Sequence, residues 1–196
     1  RSRGLGDVYK RQPRDSFYHC LKNSAHQFHN KQEEDHYILA GYPWFKCRAR
    51  DMFVSLPGLT LAVDEIGEFE DVMETARKAI NNYIKGEPIG CKIYEMDDPD
   101  VLLWAVWALQ QYAKETSREQ CRAKYGSLLE EIIDFIRQRK HDNLFLHENG
   151  LLYANGADRA ITWMNSTVNL PALITSPASQ VMILSLIHIS EPTRPR

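Results

Sequence analysis

The residues of this chain best suited to chemistry lie within positions 41–58, where the sequence runs GYPWFKCRARDMFVSLPG. Trp44, Arg50 and Asp51 stand in a loop just ahead of an apolar helix expected to begin near Met52. An indole face stacks on the C–H face of a sugar ring, and a guanidinium or carboxylate takes ring hydroxyls through charge-assisted hydrogen bonds. The trio therefore suits a neutral, hydroxyl-rich ligand. The plain alternative is structural: Trp44 packs in the core, and Arg50 with Asp51 caps the following helix, since helix starts favour Asp.

The two ends of the chain need separate treatment. Residues 2–12 (SRGLGDVYKRQ) can be spelled in codons whose reverse complement translates as LSLIHISEPTR, which is residues 184–194 of the same chain. Both ends are read as translated sequencing adapter; residues 13–15 fit the same adapter in a shifted frame, so native sequence is expected over 16–183. Residues 1–12 and 184–196 hold six of the 24 basic residues and two of the 26 acidic ones, which leaves 18 against 24 and a net charge of minus six. An acidic chain without a clustered basic patch argues against a nucleic-acid partner. No apolar run approaches the roughly 20 residues that cross a bilayer, so no membrane partner is expected.

No cofactor or metal is expected either. Cys20, Cys47, Cys91 and Cys121 are scattered without the paired spacing of zinc or redox motifs, and read as reduced, mostly buried thiols. His26 and His29 stand three apart on an expected helix, without carboxylate or thiolate neighbours in sequence to complete a metal site.

The elements that must position these residues follow from periodicity. Phe17, Cys20, Leu21, Ser24 and Phe28 predict a helix over about 16–31. Phe69, Val72, Met73, Ala76, Ile80, Tyr83 and Ile84 predict a one-sided helix over about 67–85. VLLWAVWAL at 101–109 is apolar all round, follows the helix-start residues Asp97, Asp98, Pro99 and Asp100, and is expected to be buried on both sides. A further one-sided stripe covers about 118–140. One-sided, buried and one-sided helices in succession predict an all-α fold of two helical layers, as hairpins in a ring would make. The only strand-like segment is 144–153, a short β-hairpin insertion with its turn at Asn149-Gly150.

Three ordered blocks carry a family resemblance. Gly41-Tyr42-Pro43-Trp44-Phe45 with Arg50-Asp51 and Ser55-Leu56-Pro57-Gly58-Leu59 resembles the AGYPWF…WGRD…SLPGL signature of glycogen-debranching α-1,6-glucosidases. Asp100-Val101-Leu102-Leu103-Trp104 is similar to that family's D-x-x-L-W, and Thr162-Trp163-Met164-Asn165 to its T-W-M-D. The resemblance implies an (α/α) toroid of six hairpins, of which this chain would hold about half, too little to hydrolyse glycogen alone. It implies a cytoplasmic enzyme acting on branched α-glucan, with Trp44, Arg50, Asp51, Asp100, Trp104 and Trp163 binding substrate.

The same resemblance places the general acid of an inverting hydrolysis at Asn165. An amide can neither hold nor release the required proton, so acid catalysis is expected to be absent there. Asp158 is the nearest upstream carboxylate, and Lys46 to Ala49 departs from the Gly and Trp the family places before its Arg. Trp107, three residues after Trp104, reads as core. Beyond Asn169 the family's R-P-V-T-P-R is recovered when the codons of 171–177 are shifted by one base. Two other readings stay open: a glucan-binding relative that has lost hydrolysis, and a different toroidal glycosidase such as a trehalase or glucoamylase relative.

Overall fold

A computed structural model of the chain describes residues 16–41, 44–141, 144–146, 148 and 151–154. It is mostly helical, with five α-helices and three two-stranded pairings among the described residues. Helix α1 (Phe17–His26) starts where the Ser16 hydroxyl accepts from the His19 amide at 3.2 Å. It ends five residues short of the predicted 31, because the chain turns at 27–28 and forms an antiparallel hairpin of β1 (His29–Gln32) and β2 (Asp35–Ile38). The hairpin corrects the expectation that strand structure is confined to 144–153. Its turn is Glu33-Glu34, with Glu33 at φ 57°, so it lacks the Gly or Asn that flags such turns in sequence.

Helix α2 (Ala49–Leu59) is preceded by β3 (Cys47–Arg48), and its buried side comprises Ala49, Arg50, Met52, Phe53, Leu56 and Pro57. Pro57 has no N–H to return to Phe53, which keeps the helix short. Helix α3 (Ile66–Lys85) matches the predicted stripe: Phe69, Val72, Met73, Ala76, Ala79 and Ile80 are buried. It closes on Gly86 at φ 72°, whose amide returns to Tyr83 while that of Glu87 returns to Asn82, an end that a side chain at position 86 would strain.

Helix α4 (Val101–Glu115) buries Val101, Leu102, Ala105, Ala108, Leu109 and Tyr112 against α2 and against α5 (Arg118–Arg137). Leu103, Trp104, Val106 and Trp107 are only half-buried. The predicted burial on both sides is therefore corrected to one buried face among the described residues. Tyr112 joins α4 to α3 and α5: its ring stacks on Phe69 at 5.0 Å and meets Tyr125 edge-on at 5.6 Å, and its hydroxyl donates to Glu70. Lys124 of α5 pairs with the same Glu70 at 2.8 Å and, with Tyr112, holds that carboxyl below its ordinary pKa. The predicted hairpin is present as β5 (Leu144–Leu146) against β6 (Leu152–Ala154), packed on α5. No described helix is long and apolar enough to cross a membrane.

Candidate functional site

Two distant stretches meet where β3 pairs in parallel with β4 (Ile93–Tyr94), Cys47 opposite Ile93 and Arg48 opposite Tyr94. The pairing sets the first turn of α2 beside the acidic approach to α4. There Arg50 Nε donates to both oxygens of Asp100 at 2.9 Å, and its Nη2 lies 2.7 Å from Asp98 Oδ2 and 2.8 Å from Asp100 Oδ1. The Trp104 indole N–H, one helical turn past Asp100, donates to Asp100 Oδ2 at 3.1 Å. Arg50 and Asp100 are buried, 5% and 1% exposed. A side chain expected to cap α4 instead makes no cap bond and binds the guanidinium and the indole.

The electrostatics follow from burial. Burial by itself lowers the Arg50 pKa, but the hydrogen bond and charge of Asp100, then Asp98 and Asp51, outweigh it and leave the guanidinium firmly charged. Burial pushes the Asp98 carboxyl up to about 6 against the pull of Arg50, with Asp100, Glu95 and Asp97 adding to the rise. Arg50, and Arg48 at 3.5 Å from Glu95, thus stand among a larger number of acids. The site carries a net negative field, suited to stabilising positive charge that develops on a bound neutral molecule.

The predicted binding residues separate into two groups. Arg50 and Asp100 are internal, and their charges are committed to each other. Asp51, the next residue along α2, is exposed in its first turn, where a carboxylate also favours the helix dipole. Trp104 is half-buried and held between the Asp100 bond and an edge-on contact with Trp107 at 5.5 Å. Trp44 is 84% exposed, which removes the alternative that it packs in the core. Its turn is closed by the Phe45 amide donating to the Gly41 carbonyl at 2.8 Å, and a Cβ at Gly41 would sit 2.7 Å from the Phe45 ring, so a larger residue there would push that ring aside. Phe45 also lines a groove of about 400 Å³ with Asn30, Gln32, Tyr37, Lys92 and Tyr94, an aromatic and amide lining compatible with sugar.

Asp98 was missed as a site residue: the run DDPD reads as a helix start, and only the density of acids opposite a lone Arg-Asp pair hinted at more. Trp163, Asn165 and Asp158 lie outside the described residues, as do residues 171–177 and the two tails. The chain matches the family model described as amylo-alpha-1,6-glucosidase over residues 21–186. No curated protein and no solved structure matches it.

Proposed function

Because the chain belongs to the amylo-α-1,6-glucosidase family, we propose that it serves the hydrolysis of α-1,6-linked glucose at the branch points of glycogen-like polymers, with inversion at the anomeric carbon. The observation that carries the reading is the Arg50–Asp100–Trp104 network, which fixes the Trp104 indole and the first turn of α2, where Asp51 follows Arg50 with its carboxylate exposed. Trp44 and Trp104 supply stacking faces. Asp51 accepts from the hydroxyls of the terminal glucose. Arg50 works from behind, setting α2 against α4 so that these groups hold still.

Glycosidic cleavage passes through an oxocarbenium-like transition state, and surrounding acids favour the positive charge that it develops. Inversion further requires an acid for the leaving oxygen and a base roughly 6.5–9.5 Å away across the sugar to activate water. The family resemblance assigns the acid to position 165, where this chain has Asn. Asp98 has the acidity of a general acid, yet it faces Arg50 at 2.7 Å and serves the latch. The half-exposed apolar side of α4 supports an inner position in an (α/α) ring, where a further helix would cover it.

Asn165 favours a second reading, a glucan-binding relative in which hydrolysis is lost. Calorimetric titration with branched dextrin and measurement of glucose release separate the two. Asp51→Ala abolishes binding in both readings. In the enzyme, Asn165→Asp raises kcat by about 10² to 10⁴ with little change in KM, since a general acid acts only as the bond breaks. Full turnover with Asn165 in place would show that the acid lies elsewhere.

A further inference from the structure

Away from the Arg50 network, a row of acids on α3 faces the β1–β2 hairpin. Glu68 and Asp71, three apart and so on one helical face, approach His36 of β2. His36 Nδ1 lies 3.7 Å from Asp71 Oδ2 and 3.9 Å from Glu68 Oε2, and one ligand atom from each of the three residues falls within 4.8 Å of the others. His36 is also tied down by its backbone, whose amide donates to Thr75 Oγ1 at 2.9 Å. The hairpin thus presents its imidazole to the helix at a fixed height.

A second histidine leaves a proton deficit at the same place. His29 of β1 sits between two acceptors, Leu59 O at 3.4 Å from Nε2 and Glu68 Oε2 at 3.5 Å from Nδ1. A neutral imidazole has one N–H for the two of them. With that proton on Nε2 toward the carbonyl, a nitrogen lone pair faces a carboxylate lone pair. A cation between them removes the conflict, and a histidine with its other nitrogen fixed by a backbone carbonyl is the arrangement metal sites use.

We propose that His36, Glu68 and Asp71 bind a divalent ion of the zinc class, with His29 Nδ1 able to join as a fourth donor. Nitrogen and carboxylate donors without thiolate suit Zn²⁺, Co²⁺ or Ni²⁺ better than Ca²⁺, which takes oxygen alone. Donors at ordinary zinc bond lengths of about 2.0–2.1 Å lie about 3.3 Å apart, so closing the site from separations of up to 4.8 Å moves the carboxylates by up to about 1.5 Å. Glu68 and Asp71 have that freedom, their side chains being 39% and 57% exposed. The bound ion would staple the hairpin to α3, and its exposed side would carry water.

The test is zinc titration of the full chain by calorimetry, with cobalt(II) absorption as the second readout. One Zn²⁺ should bind per chain, and Asp71→Asn, an isosteric change at an exposed group, should weaken it by about tenfold or more, as should His36→Ala. Cobalt should give the d–d bands of nitrogen and oxygen ligands without a thiolate charge-transfer band. Unchanged zinc affinity in Asp71→Asn would overturn the proposal. So would a thiolate band, which would hand the metal to a cysteine, or Ca²⁺ binding as tightly as Zn²⁺, which would reduce the site to an acidic patch.

Discussion

The Arg50 latch and the His29–His36–Glu68–Asp71 cluster contain related ingredients, nitrogen groups facing carboxylates between two elements, but burial makes them different devices. In the latch the guanidinium and Asp100 are within a few per cent of full burial, every contact is 2.7–2.9 Å, and two carboxylates converge on one charge. In the cluster the separations are 3.5–3.9 Å and the carboxylates reach water. Charges removed from water must be matched by partners, so the first arrangement is rigid. The second stays adjustable and can admit a ligand. Organisation of a site and response to a ligand are thus assigned to different faces.

The contrast is broken most directly at Asp100. Asp100→Ala leaves Arg50 short of its main partner and frees the Trp104 indole, which should cost about 3–5 kcal/mol, read from urea unfolding. A loss below about 1 kcal/mol would mean that water already reaches the guanidinium. Asp98 gives a smaller, pH-dependent effect. Its folded pKa of about 6 lies above the ordinary carboxylate value, so between roughly pH 4 and 6 the folded state holds a proton that the unfolded state lacks. This group's contribution to stability is therefore fully present below that window and declines as pH rises through 6. Asp98→Asn removes the slope: relative to the parent, the variant should gain up to about 3 kcal/mol between pH 4 and 7 in chemical denaturation. A constant difference across that range would place the Asp98 pKa near the ordinary value. The smallest change is expected at the surface, where His36→Ala without metal should shift stability by less than about 0.5 kcal/mol. A larger loss would show that the pairs are structural, and would erase the contrast.

How much of this was legible in the sequence depends on distance along the chain. The stripe at 67–85 became Ile66–Lys85, and 118–140 became Arg118–Arg137, because each is a local pattern with an end signal such as Gly86. The hairpin at 29–38 was hidden, since Phe17 to Phe28 keeps helical spacing up to the turn and Glu33-Glu34 is no turn signature. The family blocks pointed to Arg50 and Asp100 separately. Their bond was not readable, because it joins residues 50 apart, and periodicity says nothing of pairs across elements. Likewise Asp71 and His36 belong to two different patterns, and only the fold puts them together.

That separation sets an order of assembly in time. Helix α3 and its Gly86 stop are local and can form early, whereas the latch closes a loop of 50 residues, with a closure entropy of about 3.5 kcal/mol before any contact repays it. The parallel pair of Cys47 with Ile93 must close a similar span. During synthesis, then, the GYPWF turn leaves the ribosome long before its acidic partners exist, and Arg50 remains solvated until α4 follows. The binding face should be the last part of this region to mature and, on gentle destabilisation, the first to be lost while α3 and its core persist.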